Sequence, residues 1–351
     1  MDENEIAVWG KRFFEFIDRT TMYRLMFYYL LALFVAALAA SAAGYLSFSP
    51  LALLWSAVVF VISAWLVNKL FALVFSAVTN FESVFITALI LTLIMQPVAF
   101  TDIAGSVVLA AVSALASASK YIFAIWKKHI FNPAALAIVL SAFMLSTPAT
   151  WWVAGNPMLL PFILVGGLIV VYKLQRFDLI IAFGISALSF VAFTSKNPIA
   201  GIEATLLYSV FFFFAFVMLT EPLTTPPTRV PRIAYGALVG VLLIQAPHVG
   251  SFFFSPEIAL ITGNIFSYFV SPKGRYLLSL VERRTLANGI YEFIFRSDRK
   301  LVFKSGQYSA RPSPPPRSPA TSPCPKIQRA SSPSSPAASG SRPSHLWRAI
   351  A

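Results

Sequence analysis

The residues with the most chemical promise run Lys127-Lys128-His129-Ile130-Phe131-Asn132-Pro133-Ala134-Ala135. A basic loop there enters Asn-Pro, and a long apolar stretch follows at once. Asn132 suits the N-cap of a helix, and Pro133 suits its first position, where a missing N–H costs nothing. The start of such a helix offers free amide N–H groups and partial positive charge, with Lys127 and Lys128 beside it. That combination makes an anion site at a membrane surface. The same residues also read as an ordinary helix start flanked by membrane-orienting lysines. A second polar run, Thr220-Glu221-Pro222-Leu223-Thr224-Thr225-Pro226-Pro227-Thr228-Arg229, joins hydroxyls, rigid prolines and an arginine. With the two lysines it could cradle a phosphate-bearing ligand; alternatively it is a loop stiffened for packing. Glu82, Glu203, Glu221 and Glu257 fall near the ends of apolar stretches, where ionisable groups can serve ion movement. Glu82 reads better as an interfacial carboxylate in water.

The elements that must position these residues are apolar helices. Of 351 residues, 58% are hydrophobic and only 12% charged, a composition that belongs to a polytopic membrane protein. Ten spans can be drawn, roughly 23–46, 51–72, 82–100, 103–123, 132–148, 157–174, 178–195, 201–221, 231–248 and 253–271. Some are short for a bilayer, so tilted or broken helices are expected. With that count Lys69, Lys120, Lys127, Lys128, Lys173, Arg176, Arg229 and Arg232 join the terminal basic residues at one set of ends, and only Lys196 falls at the other. That segregation predicts both termini on the cytoplasmic side of the cell inner membrane. It also explains much of the formal charge of +13 without nucleic acid as a partner. Residues 1–22 carry eight charged side chains between Asp2 and Arg19, which argues against a cleavable signal peptide and for an amphipathic segment on the membrane surface. The single cysteine, Cys324, excludes an intrachain disulfide.

The apolar text repeats. Span three ends in Met95-Gln96-Pro97 and span eight in Thr220-Glu221-Pro222; span five opens Asn132-Pro133-Ala134 and span ten Ser255-Pro256-Glu257. The interval from Pro97 to Pro133 nearly equals that from Pro222 to Pro256. An odd number of spans per copy forces the copies into opposite orientations, so the 23–272 region reads as a five-plus-five inverted repeat. Asn132-Pro133 and Glu221-Pro222 then share the inner face although they belong to opposite halves. Proline at span ends marks interrupted helices whose freed backbone groups need partners.

Phe131-Asn132-Pro133-Ala134, Leu164-Val165-Gly166-Gly167, Phe216-Val217-Met218-Leu219-Thr220-Glu221-Pro222 and Tyr235-Gly236-Ala237-Leu238-Val239-Gly240 stand in the order found in one family. Over roughly residues 25–272 the chain resembles the NqrB/RnfD family, membrane components of the sodium-pumping NADH:quinone reductase and of the Rnf electron-transport complex. The resemblance implies ten helices in an inverted repeat, flavin bound in the membrane, and electron transfer coupled to ion movement. It implies quinone or a partner subunit as acceptor, other electron-transport subunits as partners, and FMN or riboflavin as cofactor. Family members carry FMN covalently on a threonine of a Ser-Gly-Ala-Thr-like motif between spans five and six. Here that connection is Ser146-Thr147-Pro148-Ala149-Thr150, without the serine-glycine, so a noncovalent flavin is expected rather than a bond at Thr150.

Residues 273–308 change character. Leu278 to Val281 and Ile290 to Phe295 read as strands, with turns at Asn288-Gly289 and Ser297-Asp298. Phe303-Lys304-Ser305-Gly306-Gln307-Tyr308 resembles the start of a ferredoxin–NADP reductase-like FAD domain, whose Arg-x-Tyr-Ser/Thr motif does not follow. FAD binding is therefore expected only in a full-length relative. Residues 309–351 are rich in proline, serine and arginine and carry no acidic residue. They read as a disordered tail, through out-of-frame translation or as a basic lipid-binding segment. The functional expectation is a membrane electron-transport subunit, part of an NAD(P)H-dependent oxidoreductase; the alternative is a non-redox ion or solute carrier or scaffold on the same repeat. A bis-histidine haem protein is excluded, because His129, His248 and His345 do not face one another within spans.

Overall fold

Serine hydroxyls and glycines decide how the helices of this protein meet. The computed structural model describes residues 12, 14–77, 80–125, 128–245, 248–249, 252–253, 255–271, 278–287, 290–297, 326–329 and 346–350. They fall into two units, Met1–Ser271 and Pro272–Ala351. The first unit holds α1 (Met22–Ala42), α2 (Pro50–Val74), α3 (Phe81–Ile94), α4 (Ile103–Ile122), the strands β1 (Ala124–Ile125) and β2 (Lys128–His129), and α5 (Pro133–Leu145). Then come α6 (Leu160–Leu174), α7 (Phe177–Thr194), α8 (Pro198–Tyr208), α9 (Phe211–Met218), α10 (Arg229–Gln245), β3 (His248–Val249), β4 (Phe252–Phe253) and α11 (Pro256–Val270). Side-chain oxygens of Thr21, Ser49, Asn80, Asp102, Asn132 and Asn197 cap the helices that follow them, and Pro50, Pro133, Pro198 and Pro256 open theirs.

This is a membrane protein. Among the described residues four helices, α1, α2, α4 and α7, are long and apolar enough to cross a bilayer, and α8 with α9, bent by 62°, makes a fifth if taken as one span. Each of the ten expected segments contains a helix, but the others are shorter. The 13-residue α5 reaches only about 20 Å against a hydrocarbon core of about 30 Å. Leu54, Val58, Ile62, Leu66 and Leu70 form an exposed apolar stripe on α2, a face suited to lipid.

The two halves repeat the same order: two helices, a third that ends in a break, a fourth, a two-stranded hairpin, and a short fifth helix opened by proline. The second and fourth helices pack in parallel in both halves, by different chemistry. In the first half Ser113 Oγ and Ser117 Oγ donate to the carbonyls of Phe60 and Ala64, at 2.8 and 3.3 Å, and Tyr121 OH donates to Asn68 Oδ1 at 2.8 Å. Each step of four residues on α4 meets a step of four on α2, so the pair is zipped by hydroxyls. In the second half Gly236 and Gly240 do the work. A Cβ at Gly236 would lie 2.7 Å from the Leu179 carbonyl, and one at Gly240 would lie 2.5 Å from the Phe183 carbonyl. The backbones of α7 and α10 therefore touch, as small residues four apart allow.

Across the halves, equivalent helices run antiparallel. Tyr29 OH on α1 donates to the Ile163 carbonyl on α6, while Lys173 at the other end of α6 donates to the carbonyls of Ile17 and Asp18. Asn132, at the start of α5, meets Asn264 well inside α11, and Trp151, just beyond the end of α5, meets Glu257 at the start of α11. Residues 14–19 are helical ahead of α1; Trp9 and Phe13 of the expected surface segment lie outside the described residues.

In the second unit β5 (Leu278–Ala287) and β6 (Ile290–Ser297) form the expected antiparallel hairpin, bulged at Leu280/Glu282 and Thr285/Ala287. Asn288, Gly289, Asp298 and the Phe303–Tyr308 motif lie outside the described residues. Within residues 309–351, β7 (Lys326–Arg329) and β8 (Leu346–Ile350) complete a sheet of order β5-β6-β8-β7. The physical reason is the open edge of β6, whose unpaired N–H and C=O groups accept a strand regardless of side-chain polarity.

Candidate functional site

The breaks in the helices bring Asn132-Pro133 and Glu221-Pro222 to one cleft. α5 must begin at Asn132, because Pro133 cannot donate to a preceding turn and the Asn132 Oδ1 accepts from the Ala135 N–H at 3.1 Å. α9 ends in a π-helical turn, Phe214–Met218, whose wider winding leaves a carbonyl for outside partners. The Met218 carbonyl accepts from Asn132 Nδ2 at 3.5 Å, and the Asn132 backbone N–H donates to Asn264 Oδ1 at 2.8 Å. Asn264 Nδ2 in turn donates to Tyr235 OH at 3.2 Å, so a buried polar chain ties α5, α9, α10 and α11 together.

The cleft has a volume of about 50 Å³, room for a few waters. Met22, Met26, Ile86, Ile90, Leu174 and Val217 wall it, and Tyr23, Ser83, Thr87, Asn132 and Glu221 give it a polar edge. His129, carried by β2, lies with its Nε2 2.8 Å from Glu221 Oε1, a nearly enclosed contact between the first half's hairpin and the second half's break. Lys120 Nζ donates to the Ser83 carbonyl at 2.9 Å and to its hydroxyl at 3.2 Å, so a half-buried lysine stands behind the same edge. Arg24 and Glu82 pair at 3.2 Å with both side chains partly exposed, as suits the interfacial carboxylate expected there.

Among the described residues, the threonines expected in a phosphate cradle bond within their own turns. Thr220 Oγ1 donates to the Phe216 carbonyl at 2.7 Å, Thr225 Oγ1 donates to the Glu221 carbonyl at 3.0 Å, and Thr224 Oγ1 lies 3.3 Å from Glu221 Oε2. These hydroxyls close their own turns. Arg229 is exposed at the start of α10. The proline loop is pinned from behind by Arg176 Nη1 on the Pro226 carbonyl and by Arg232, which grips Asp178 with two nitrogens. Burial, and Arg232 close by, lower the pKa of the Arg176 guanidinium, while Asp178 opposes them. Lys127 lies outside the described residues, and Lys128 is described only as part of β2. With Glu221 lining the cleft and these hydroxyls engaged, a phosphate group there would lie close to a carboxyl.

Thr150 stands elsewhere. Its hydroxyl and N–H both donate to the Ile94 carbonyl, at 3.2 and 2.9 Å, where α3 breaks. The whole length of α5 separates it from Asn132. Sequence reasoning missed His129, Lys120, Ser83 and Asn264 as parts of the cleft. His129 carried a signal in lying three residues before Asn132; Asn264 had only that of a polar residue inside an apolar helix. Compared with known protein families and with curated proteins, the chain matches none.

Proposed function

We propose that the first unit is a membrane electron-transport subunit of the kind it resembles, with ten passes, both termini cytoplasmic in the cell inner membrane, and the cleft at Asn132 and Glu221 as its flavin site. One observation carries the reading. Broken helices of antiparallel halves meet at a cleft with apolar walls and an amide and carboxyl edge, as a flat heterocycle of mixed polarity requires. The ligand that suits these residues is riboflavin or another phosphate-free flavin, noncovalently held; the threonine-rich loop contributes rigidity and no phosphate contact. Asn132, Ser83 and Thr87 serve its hydrogen-bonding edge, and Met22 and Met26 shift to admit the ring, as flexible thioether side chains do. Bound there, a flavin supplies one- and two-electron transfer between an NAD(P)H-fed donor and quinone or a partner subunit. The chain's own residues fix the ring and exclude lipid. The His129–Glu221 contact lies beside it.

The test is the visible spectrum of the purified full chain, taken before and after acid precipitation. Flavin absorption that stays in the acid supernatant supports the reading. Colour in the precipitate moves the cofactor to a covalent site, and a colourless preparation favours a carrier built on the same repeat.

A further inference from the structure

A second carboxyl, at the far end of α10 from Glu221, is enclosed more completely. Glu257 follows Pro256 at the start of α11 and is 3% exposed. The intervening α10 has 17 residues, about 25 Å of helix, so the two carboxyls lie towards opposite faces of the unit. Among the described residues no lysine, arginine or histidine pairs with Glu257. Its Oε1 accepts the indole N–H of Trp151 at 2.8 Å. That indole is held from several sides. Trp151 takes a left-handed backbone (φ 52°), its N–H donates to the Ile94 carbonyl at 2.8 Å, and its ring meets Phe213 and Phe214. The neighbouring α5, α9 and the 146–159 connection carry no ionisable side chain. On α10 the nearby titratable group is Tyr235, bonded to Asn264 two turns further along α11; His248 of β3 has its side chain outside the described residues.

The Ser255 hydroxyl and the backbone N–H of Glu257 also reach the carboxyl, but a carboxylate anion enclosed without a cationic partner among the described residues still costs several kcal/mol, and such a group takes a proton instead. Ser255 and Pro256, the preceding residues, are only half-buried, so the distance from Glu257 to the surface is one or two residues. We propose that Glu257 is a proton-binding carboxyl that exchanges with the face opposite the His129–Glu221 pair.

Dicyclohexylcarbodiimide tests this without any cofactor. It adds whole to a protonated carboxyl in apolar surroundings, taking the acid proton on nitrogen and the carboxyl on its central carbon, and the adduct is mapped by peptide mass. The full chain is labelled in membrane vesicles of both sidedness, with inner and outer pH set independently. Expected is an adduct at Glu257 that falls several-fold when the pH on the α11-start face is raised, is indifferent to the other face, and is absent in Glu257→Gln. The proposal is overturned if Glu257 of the native chain stays unlabelled, if labelling ignores pH on that face, or if sodium protects it at constant pH.

Discussion

Replacing Asn264 with alanine removes the residue on which the cleft's geometry turns. Its Oδ1 takes the Asn132 N–H at 2.8 Å and its Nδ2 serves Tyr235 OH at 3.2 Å, and both Asn264 and Tyr235 are fully enclosed. Alanine leaves the Asn132 N–H without that acceptor. A buried donor stripped of its partner costs about 1–3 kcal/mol in water-soluble proteins. Within membranes, side-chain hydrogen bonds average about 0.6 kcal/mol and reach about 1.7, because an unfolded chain in lipid finds other partners. Two bonds lost together place the expected cost at about 1–2 kcal/mol. At about 2–4 °C per kcal/mol for a unit of this size, unfolding should fall by about 2–8 °C. The assay is thermal unfolding of the detergent-solubilised chain, followed by tryptophan fluorescence. An alanine variant that unfolds within 1 °C (about the reading error) of the native chain would refute the reasoning, and Asn132 would then be held by the helix cap alone.

Gly240→Val should prevent assembly, since its Cβ would lie 2.5 Å from the Phe183 carbonyl, whereas Gly184→Ala, whose nearest contact would be 3.8 Å, should accumulate normally; membrane yield on size-exclusion chromatography separates them. Ser113→Ala should cost about 0.6 kcal/mol, and Ser113→Ala with Ser117→Ala roughly twice that, read as additive drops in unfolding temperature. His129→Gln and Glu221→Gln together should destabilise the chain by less than the sum of the two single variants; a double-mutant cycle with no coupling would contradict a direct 2.8 Å contact.

Much of the architecture is legible in the sequence because lipid makes the rules severe. Apolar runs mark the helices, Asn132-Pro133 and Ser255-Pro256 mark the starts of α5 and α11, and the matched prolines foretell that Pro133 and Pro222 line one cleft. What remains hidden is where polar groups spend their hydrogen bonds. Thr220, Thr224 and Thr225 look like ligand donors in the text, yet each lies three or four residues from an acceptor in its own turn and closes on it. Arg229 and Arg232 are indistinguishable by spacing, and only the packing of α7 against α10 places Asp178 opposite Arg232. The zipper on α4 is visible as Ser113, Ser117 and Tyr121, but the two serines meet backbone carbonyls, which leave no residue-type signal. The pairing of β6 with β8 is opaque for the same reason.

The central claim is that the cleft at Asn132 and Glu221, and not Thr150, holds a flavin. The most direct measurement is acid-released flavin per chain in the native protein, in Thr150→Val, and in Met26→Trp, which fills the cleft from α1. The account predicts about equal flavin in the native protein and Thr150→Val, and almost none in Met26→Trp although it unfolds at a near-native temperature. Flavin retained by Met26→Trp, or lost from Thr150→Val, would contradict it.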